Sequence, residues 1–393
     1  MPKPSAVPLS VLDLSPVSAG QTATDALRNS IALAVSAEAL GYSRYWLAEH
    51  HLSPGVAGSA PHVLSALIAA ATSTIRVGTA ATILGNYRPV QIAENIGTLS
   101  ALYPGRVDLG FGRSGVPKAP AEGEAPGAGV PADASPGASG RLSGSPAGNR
   151  VVDGLVVPAP RPLFGRKFPE RFQVQADLLG RVPGDADNFE SDVQDVIAFF
   201  AGEYRAAHGT EVTVHPAQGH APGFWIHGSS AGPSARLAGK LGLPFGANYH
   251  VAPAAVLESV GEYRSHFKPS TTLAEPYVAV SADVVVAETE SRAGTIAAGY
   301  ADWVHSIRTG HGAIPYPAPE DAARWPELEP DDADLIQDRL DTRFVGDPRQ
   351  VAEGLRTLQR VTGANELLVT TITHRQADRI RSQELLAQAW GLT

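Results

Sequence analysis

Two adjacent histidines follow a glutamate at the end of a short apolar run, Arg44–Ala48. A histidine can donate or accept a proton near neutral pH, and Glu49 could orient it or bind a ligand ring. Successive residues of a strand point to opposite faces, so His50 and His51 are poorly placed to share one metal ion, and we expect no metal site here. Their spacing alone leaves an ordinary structural role open for either histidine.

Two segments further along carry small residues and an arginine. The run Gly78–Thr82 would let a planar ligand approach the backbone, although such a run is more often plain packing. The run Gly110–Gly115 matches G-x-G-x-x-G, but Pro117 follows where a dinucleotide-binding helix should begin. We therefore reject a Rossmann site and keep Arg113 as a candidate contact for a phosphate or a ring.

A third segment carries two hydroxyl groups. Ser229 and Ser230 follow the strand-like run Phe224–Gly228 and precede a helical pattern. Hydroxyl-bearing residues at a helix N-terminus suit a phosphate, because free N–H groups and the positive dipole end both favour an anion. An ordinary serine N-cap is the alternative.

The elements that carry these residues alternate between strand and helix patterns. Such βα units imply a parallel sheet with right-handed crossovers. Eight strands favour a closed (β/α)8 TIM barrel over an open sheet, and barrel enzymes hold their reacting groups at the C-terminal strand ends. The predicted strands are Leu9–Leu14, Arg44–Ala48, Arg76–Thr82, Arg106–Gly112, Phe224–Gly228, Pro244–Asn248, Tyr277–Ala287 and Glu366–Thr371.

Two stretches interrupt this alternation within what we expect to be a single domain over residues 1–393. Residues 115–171, after the fourth strand, are rich in Gly, Pro, Ala and Ser and show no apolar period before Val151–Val157. Such composition does not bury enough surface to fold alone, which predicts a flexible insertion. Residues 309–338 carry five prolines, which predicts an irregular loop region.

The composition narrows the classes of partner. The 393 residues include 31 basic and 40 acidic side chains, giving a net charge of −9, and no basic stripe points to nucleic acid or an anionic membrane. The absence of cysteine excludes disulfides and thiolate chemistry. No run approaches the about 20 apolar residues of a membrane span, and the N-terminus has no signal-peptide pattern, so we expect a cytoplasmic protein.

Six short runs of the sequence resemble segments of the luciferase-like flavin monooxygenases and occur in the same order along the chain. The resemblance covers nearly the whole chain outside residues 115–171 and 309–338, and its strength lies in the number and order of the runs. They are Trp46–His51, Val77–Ala81, Tyr103–Gly110, Leu241–Pro244, Phe344–Pro348 and Thr362–Leu367.

The resemblance implies a barrel, usually a homodimer, that binds reduced FMN and reacts it with O2 to oxidise a small organic substrate such as an aldehyde or ketone. A separate flavin reductase would supply the FMNH2. By position, Glu49 would contact the flavin and His50 would be the catalytic acid–base histidine. Ala80 and Ala81 match the pair that forms a non-proline cis peptide under the flavin ring. The phosphate would be held by Arg113, Ser229 and Ser230.

Two other functions fit the same resemblance. A dehydrogenase dependent on the deazaflavin F420 would transfer hydride on the same barrel without consuming oxygen. A non-catalytic flavin-binding subunit is the third possibility, and the presence of His50 argues against it. The chain departs from the common pattern in three places: the insertion after Arg113, Pro233 in the helix start that flanks the phosphate, and the proline-rich tract around His311. Substrate-binding residues therefore do not transfer.

Overall fold

The computed structural model describes residues 7–113, 148–161, 170–181, 188–322 and 329–393. Most of the predicted insertion, residues 115–147 and 162–169, lies outside the described residues. The last two positions of the G-x-G-x-x-G run also lie outside them.

Eight parallel strands close into a barrel in the order β1-β2-β3-β4-β7-β8-β9-β11, with β11 pairing back onto β1. This confirms the predicted (β/α)8 fold, and each of the eight predicted strands lies within two residues of its observed bounds. The strands of the described chain are β1 Leu9–Asp13, β2 Arg44–Leu47, β3 Arg76–Ile83, β4 Val107–Gly112, β5 Arg150–Val152, β6 Leu155–Val157, β7 Gly223–Gly228, β8 Phe245–Asn248, β9 Val278–Val286, β10 Phe344–Gly346 and β11 Glu366–Thr370.

Helices follow the barrel strands and cover the outside of the sheet, where the outward-facing apolar residues of every strand join one core cluster. Local signals begin and end them: Thr22 and Asp25 form a capping box at the first helix, and Pro89 occupies the first turn of the third. The helices are α1 Ala23–Ala39, α2 Pro61–Ala71, α3 Pro89–Leu102, α4 Glu170–Leu178, α5 Phe189–Ala201, α6 Pro233–Leu241, α7 Val256–His266, α8 Glu290–Ile296, α9 Tyr300–Arg308, α10 Pro319–Ala322, α11 Pro330–Asp341, α12 Pro348–Thr362 and α13 Gln376–Trp390.

The inside of the barrel is filled by aromatic rings that lie opposite glycines. The rings of Trp46 and Trp225 meet edge to face with centroids 5.3 Å apart. A Cβ on Gly78 would lie 2.7 Å from the Trp46 ring, so only glycine fits there. Below them the buried pair Arg44–Glu366 fills the N-terminal end. A packed lumen of this kind leaves chemistry to the C-terminal rim.

Three elements differ from the sequence-based prediction. Within the predicted insertion, β5 and β6 form an antiparallel hairpin with Leu155 and Val157 buried. Within the predicted irregular region 309–338, helix α11 begins at Pro330. The buried side of this helix combines Ile336 with Asp338, which pairs with Arg308 at 2.9 Å, so the helix has only a weak apolar period in the sequence. The short strand β10 adds to the outer end of β9.

Candidate functional site

His50 lies at the C-terminal end of β2 and is half-buried. Its backbone N–H donates to the carbonyl of Gly58 at 2.9 Å, which fixes the main chain. The ring is not fixed in the same way, since its Nδ1 is buried and has no hydrogen-bond partner within the described chain. Burial lowers the pKa of His50 to about 4, so the ring is neutral at pH 7. A neutral ring has one N–H donor and one bare nitrogen acceptor, so His50 can donate to a bound ligand at one nitrogen and accept from it at the other.

Glu49, beside it, is 8% exposed and its carboxylate is bound from several sides. One oxygen accepts from the backbone N–H of Ile83 at 3.0 Å, and the other from the side-chain amide of Asn86. The same oxygen lies 2.8 Å from Nε2 of His51. The glutamate therefore holds the end of β2 against the turn after β3, and His51 is a partner of Glu49 in this arrangement.

The peptide bond between Ala80 and Ala81 is cis, as the resemblance implies. The pairing of β3 with β4 shifts register between Thr79 and Thr82, around this bond. The two threonine hydroxyls are 2.9 Å apart, and Thr82 also contacts Nε2 of the buried His62 at 2.8 Å. This polar contact supports the irregular backbone from outside the barrel. Contact of the alanines with a flavin ring stays a prediction.

Ser229 follows β7 and precedes α6, whose N-cap residue is Gly232 and whose N-terminus has no side-chain cap. The Ser229 hydroxyl oxygen accepts a hydrogen bond from the side-chain amide of Asn248 at 2.9 Å. Because that bond uses the oxygen, the hydroxyl proton is directed elsewhere and can be donated to an anion. Ser230 is the next residue and is half-buried.

Arg113 directly follows β4, which pairs with β7 through Gly112 and His227. Arg113 and Ser229 therefore lie at the same height along the barrel, each just beyond the end of one of two neighbouring strands. The seven predicted site residues follow or end β2, β3, β4 and β7, four consecutive strands of the barrel, so the structure brings them to one half of the rim.

Two histidines at the same end of the barrel were missed by the sequence analysis. His227, on β7, points into the lumen between Gly110 and Gly246, and its Nε2 is buried without a partner. His250 lies two residues beyond β8, with its Nδ1 2.5 Å from the hydroxyl of Ser281. Burial lowers the pKa of each to about 4. His250 could have been found because barrel enzymes carry reacting groups at the C-terminal ends of their strands, and it follows a predicted strand. His227 lies two residues after Trp225, so its side chain points to the same face of the strand, inside the barrel.

A cluster of buried charged and polar side chains surrounds Asp283 on β9, the strand next to β8. The carboxylate of Asp283 accepts from the hydroxyl of Tyr300 and lies 3.3 Å from the guanidinium of Arg339. Arg339 also donates to the Tyr300 oxygen at 2.9 Å, and Arg343 stacks over the Tyr300 ring at 3.7 Å. These contacts hold helices α9 and α11 against β9.

The described residues also bear on metal binding and on membrane insertion. No group of three or more His, Asp or Glu side chains in those ranges is placed to hold a metal ion. Across the same ranges, no helix has both the length and the apolar character needed to cross a membrane.

The residues at the rim fit a planar cofactor that carries a phosphate. The uncapped N-terminus of α6 and the Ser229 hydroxyl supply donors for a phosphate. The unpartnered Nδ1 of His50 is a buried polar atom that a bound ligand could satisfy. The arrangement therefore places donors suited to an anion on the same half of the rim as a neutral histidine.

Comparison with known proteins agrees with this geometry. The family model described as luciferase-like monooxygenase matches residues 7–135 and 164–365. A protein of Escherichia coli (strain K12) named luciferase-like monooxygenase is 32% identical over 380 residues, which is 96% of this chain and 96% of that protein. The crystal structure of apo-MsnO8 is 30% identical, with a TM-score of 0.75 and coverage of 98% of this chain and 99% of that chain.

Two more distant structures share the fold. One is the oxygenating constituent of 3,6-diketocamphane monooxygenase from Pseudomonas putida in complex with FMN, at TM-score 0.63 and 19% identity, covering 98% of each chain. The other is an F420-dependent secondary alcohol dehydrogenase in complex with an F420-acetone adduct, at TM-score 0.59 and 13% identity, covering 98% of this chain and 99% of that chain.

Proposed function

The chain belongs to the luciferase-like monooxygenase family, and from that premise we propose that it uses reduced FMN and O2 to oxidise a small organic substrate such as an aldehyde or ketone. The observation that carries the proposal is the neutral, unanchored ring of His50 on the same half of the rim as the cis peptide and the anion site at α6. Membership of the family already makes the protein an oxidoreductase.

Each rim residue has a part in this proposal. The N-terminus of α6 with Ser229, Ser230 and Arg113 would hold the phosphate, and Ala80–Ala81 would lie against the ring. Bound reduced FMN would supply the electrons that activate oxygen. His50 would move a proton at one of its ring nitrogens, and Glu49 would keep the ends of β2 and β3 together so that His50 is presented correctly.

The cofactor has two candidates. One structural neighbour binds FMN and another an F420 adduct, and both share only the fold with this chain. We prefer FMN because the E. coli relative at 32% identity is named a monooxygenase. A separate reductase would supply the FMNH2, and the cytoplasmic location expected from the sequence stays a prediction.

We also propose that the protein is a homodimer. Helix α2 exposes Val63 and Leu67, one helical turn apart, at 63% and 52% of their surface. Apolar side chains at such spacing suit a self-complementary helix face. Light scattering should give twice the chain mass, and a V63S/L67S variant should give the single mass. A single mass for the natural sequence would overturn the dimer.

The monooxygenase proposal is tested by oxygen uptake. Protein supplied with FMNH2 by a flavin reductase and offered a panel of aldehydes and ketones should consume O2 in proportion to product. His50→Ala should bind oxidised FMN normally and lose oxidation, because proton transfer by a positioned side chain contributes about 10²–10⁴-fold. His208→Ala, at an exposed histidine, is the matched control and should keep full activity.

Other outcomes decide between the alternatives. Hydride transfer to F420 without oxygen uptake would replace the monooxygenase with the dehydrogenase. FMN binding without oxidation of any substrate would favour the non-catalytic subunit. Unchanged turnover in His50→Ala would remove the catalytic role of His50.

A further inference from the structure

His250 stands across the barrel mouth from His50. The ring of eight strands places β8 four positions from β2 in either direction, so the residues that follow these two strands face each other over the C-terminal opening. Both rings are half-buried, and the pKa of His250 is lowered mainly by burial and in part by His50. The charged side chains that act on His250 are Asp283 and Arg339, which are themselves paired.

The two histidines differ in how the protein holds them. The Nδ1 of His50 has no partner, whereas the Nδ1 of His250 lies 2.5 Å from the Ser281 hydroxyl. Ser281 is itself buried, and its position on β9 is fixed by pairing with Asn248 on β8 and with Leu368 on β11. His250 is therefore anchored at Nδ1, whereas no hydrogen bond within the described residues anchors His50 at that atom.

The direction of the hydrogen bond between Ser281 and His250 follows from the contacts of Asn248. Asn248 uses its amide NH2 to donate to Ser229, so its carbonyl oxygen points to Ser281 at 3.4 Å and needs a donor there. The Ser281 hydroxyl has two acceptors within reach, the side-chain oxygen of Asn248 and the main-chain oxygen of Ala247, each at 3.4 Å. We assign the hydroxyl proton to these acceptors, which leaves the hydroxyl oxygen to accept from His250. The proton of His250 is then on Nδ1, and Nε2 carries the lone pair.

The Nε2 of His250 has no hydrogen-bond partner among the described residues. Burial lowers the pKa of the ring to about 4, which keeps it neutral at pH 7. A neutral imidazole with its proton fixed on Nδ1 offers an acceptor at Nε2. Such an acceptor at a ligand-binding rim calls for a donor on the ligand.

We propose that His250 is a ligand-binding residue of this mouth, whose Nε2 accepts a hydrogen bond from an O–H or N–H group of the bound small molecule. Ser281 and Asn248 are positioning residues that hold it in that state. The inference rests on the proposed function for the identity of the small molecule. The donor is either the ring imide N–H of the cofactor or an O–H or N–H group of the substrate, and the experiment separates these sources.

The first test needs no ligand. ¹⁵N-labelled histidine NMR, assigned by loss of signals in His250→Gln, should show the Nδ1–H tautomer for His250 in the natural protein. Ser281→Ala should turn this into a mixture of tautomers, while the signals of the exposed His208 stay unchanged. An Nε2–H tautomer in the natural protein would overturn the proposal whatever the enzyme does.

The second test compares two variants of His250. Glutamine places a carbonyl oxygen near the position of Nε2 and keeps the acceptor, whereas leucine removes it. His250→Leu should weaken either cofactor affinity or substrate binding by about tenfold, a typical effect of one lost hydrogen bond. His250→Gln should stay within about threefold of the natural protein in the same measurement. The cofactor arm is the affinity for oxidised FMN and for F420 by fluorescence quenching, and the substrate arm is KM with kcat measured separately.

The outcomes assign the source. Loss of cofactor affinity identifies the ring imide, and a raised KM with normal cofactor affinity identifies the substrate. Equal loss in His250→Gln and His250→Leu, or no change in either arm, would overturn the proposal. If His250→Leu does not fold, Ser281→Ala takes its place in both arms. If the natural protein binds neither cofactor and oxidises nothing, the proposed function fails, and the tautomer measurement still decides whether His250 is a fixed acceptor.

Discussion

The Glu49 carboxylate accepts a hydrogen bond from the backbone N–H of Ile83 at 3.0 Å, and this bond joins the ends of β2 and β3. The same carboxylate binds Asn86 and His51. Since His50 follows Glu49 directly and the Ala80–Ala81 bond precedes Ile83 by two residues, one side chain fixes the relative position of two parts of the site. This positioning accounts for a buried glutamate without requiring that it touch a ligand.

The first prediction concerns that glutamate. Glu49→Ala leaves the half-buried donors of Ile83 and Asn86 without their acceptor, so the free energy of unfolding should fall by about 1–3 kcal/mol in urea titration. The control is Glu353→Ala, whose side chain is 72% exposed in an ion pair with Arg349 at 3.8 Å. That change should stay within about 0.5 kcal/mol. Equal effects of the two substitutions would show that the carboxylate does not hold the strand ends.

The second prediction concerns the phosphate. Ser229→Ala removes the hydroxyl that Asn248 orients, so the affinity for oxidised FMN should fall by about 5–10-fold. Riboflavin, which has the same ring and no phosphate, is the matched ligand and should bind both proteins equally. Fluorescence quenching titrations measure both. A parallel loss of riboflavin affinity would mean that Ser229 contacts another part of the cofactor.

The barrel was predictable from the sequence because its strands are short apolar runs separated by helical stripes. The eight runs match the structure from β1 to β11, and the capping box at Thr22 is formed. The hairpin β5–β6 and helix α11 were not predicted as such. Their stability comes from contacts with distant parts of the chain, such as the bond from the Tyr249 hydroxyl to the carbonyl of Val156.

The site was predictable in part, from two different sources. Strand ends that carry polar residues pointed to Glu49 and His50, and the resemblance pointed to the cis bond at Ala80–Ala81, which the structure confirms. The anchoring of His250 by Ser281 links residues 31 positions apart. Such a contact depends on the register between β8 and β9, which local patterns do not determine.

The third prediction concerns acid stability. Burial lowers the pKa of His227 from 6.5 to about 4, and the side chain is only 7% exposed. Between these two pH values the unfolded chain binds a proton that the folded chain does not, so stability falls as pH falls through this window. The loss from this residue approaches about 3 kcal/mol, at 1.36 kcal/mol for each pKa unit.

The control for that effect is His227→Leu, which fills the lumen with an apolar side chain and removes the titrating group. Denaturant titrations of both proteins at pH 7 and pH 4.5 measure the difference. The natural protein should lose more stability than the variant over this range. Identical losses would show that other groups, such as His50 and His250, account for all the acid sensitivity.

The fourth prediction concerns the space around the same histidine. A Cβ added at Gly246 would lie 2.1 Å from Nδ1 of His227, so Gly246→Ala forces the ring or strand β8 to move. Overpacking of this kind should lower the free energy of unfolding by about 1–3 kcal/mol. The control is Gly261→Ala in helix α7, where nothing lies within 4 Å of the added Cβ. That substitution should stabilise the protein by about 0.4–1 kcal/mol, because alanine restricts the unfolded chain.

A double-mutant cycle identifies the contact responsible. If the clash with the His227 ring is the cause, His227→Ala removes the obstacle, and Gly246→Ala should cost little in that background. The coupling free energy between the two positions should then be close to the whole cost of Gly246→Ala in the natural protein. Additive effects would instead place the strain in the backbone of β8, and the lumen would not depend on this glycine to make room for His227.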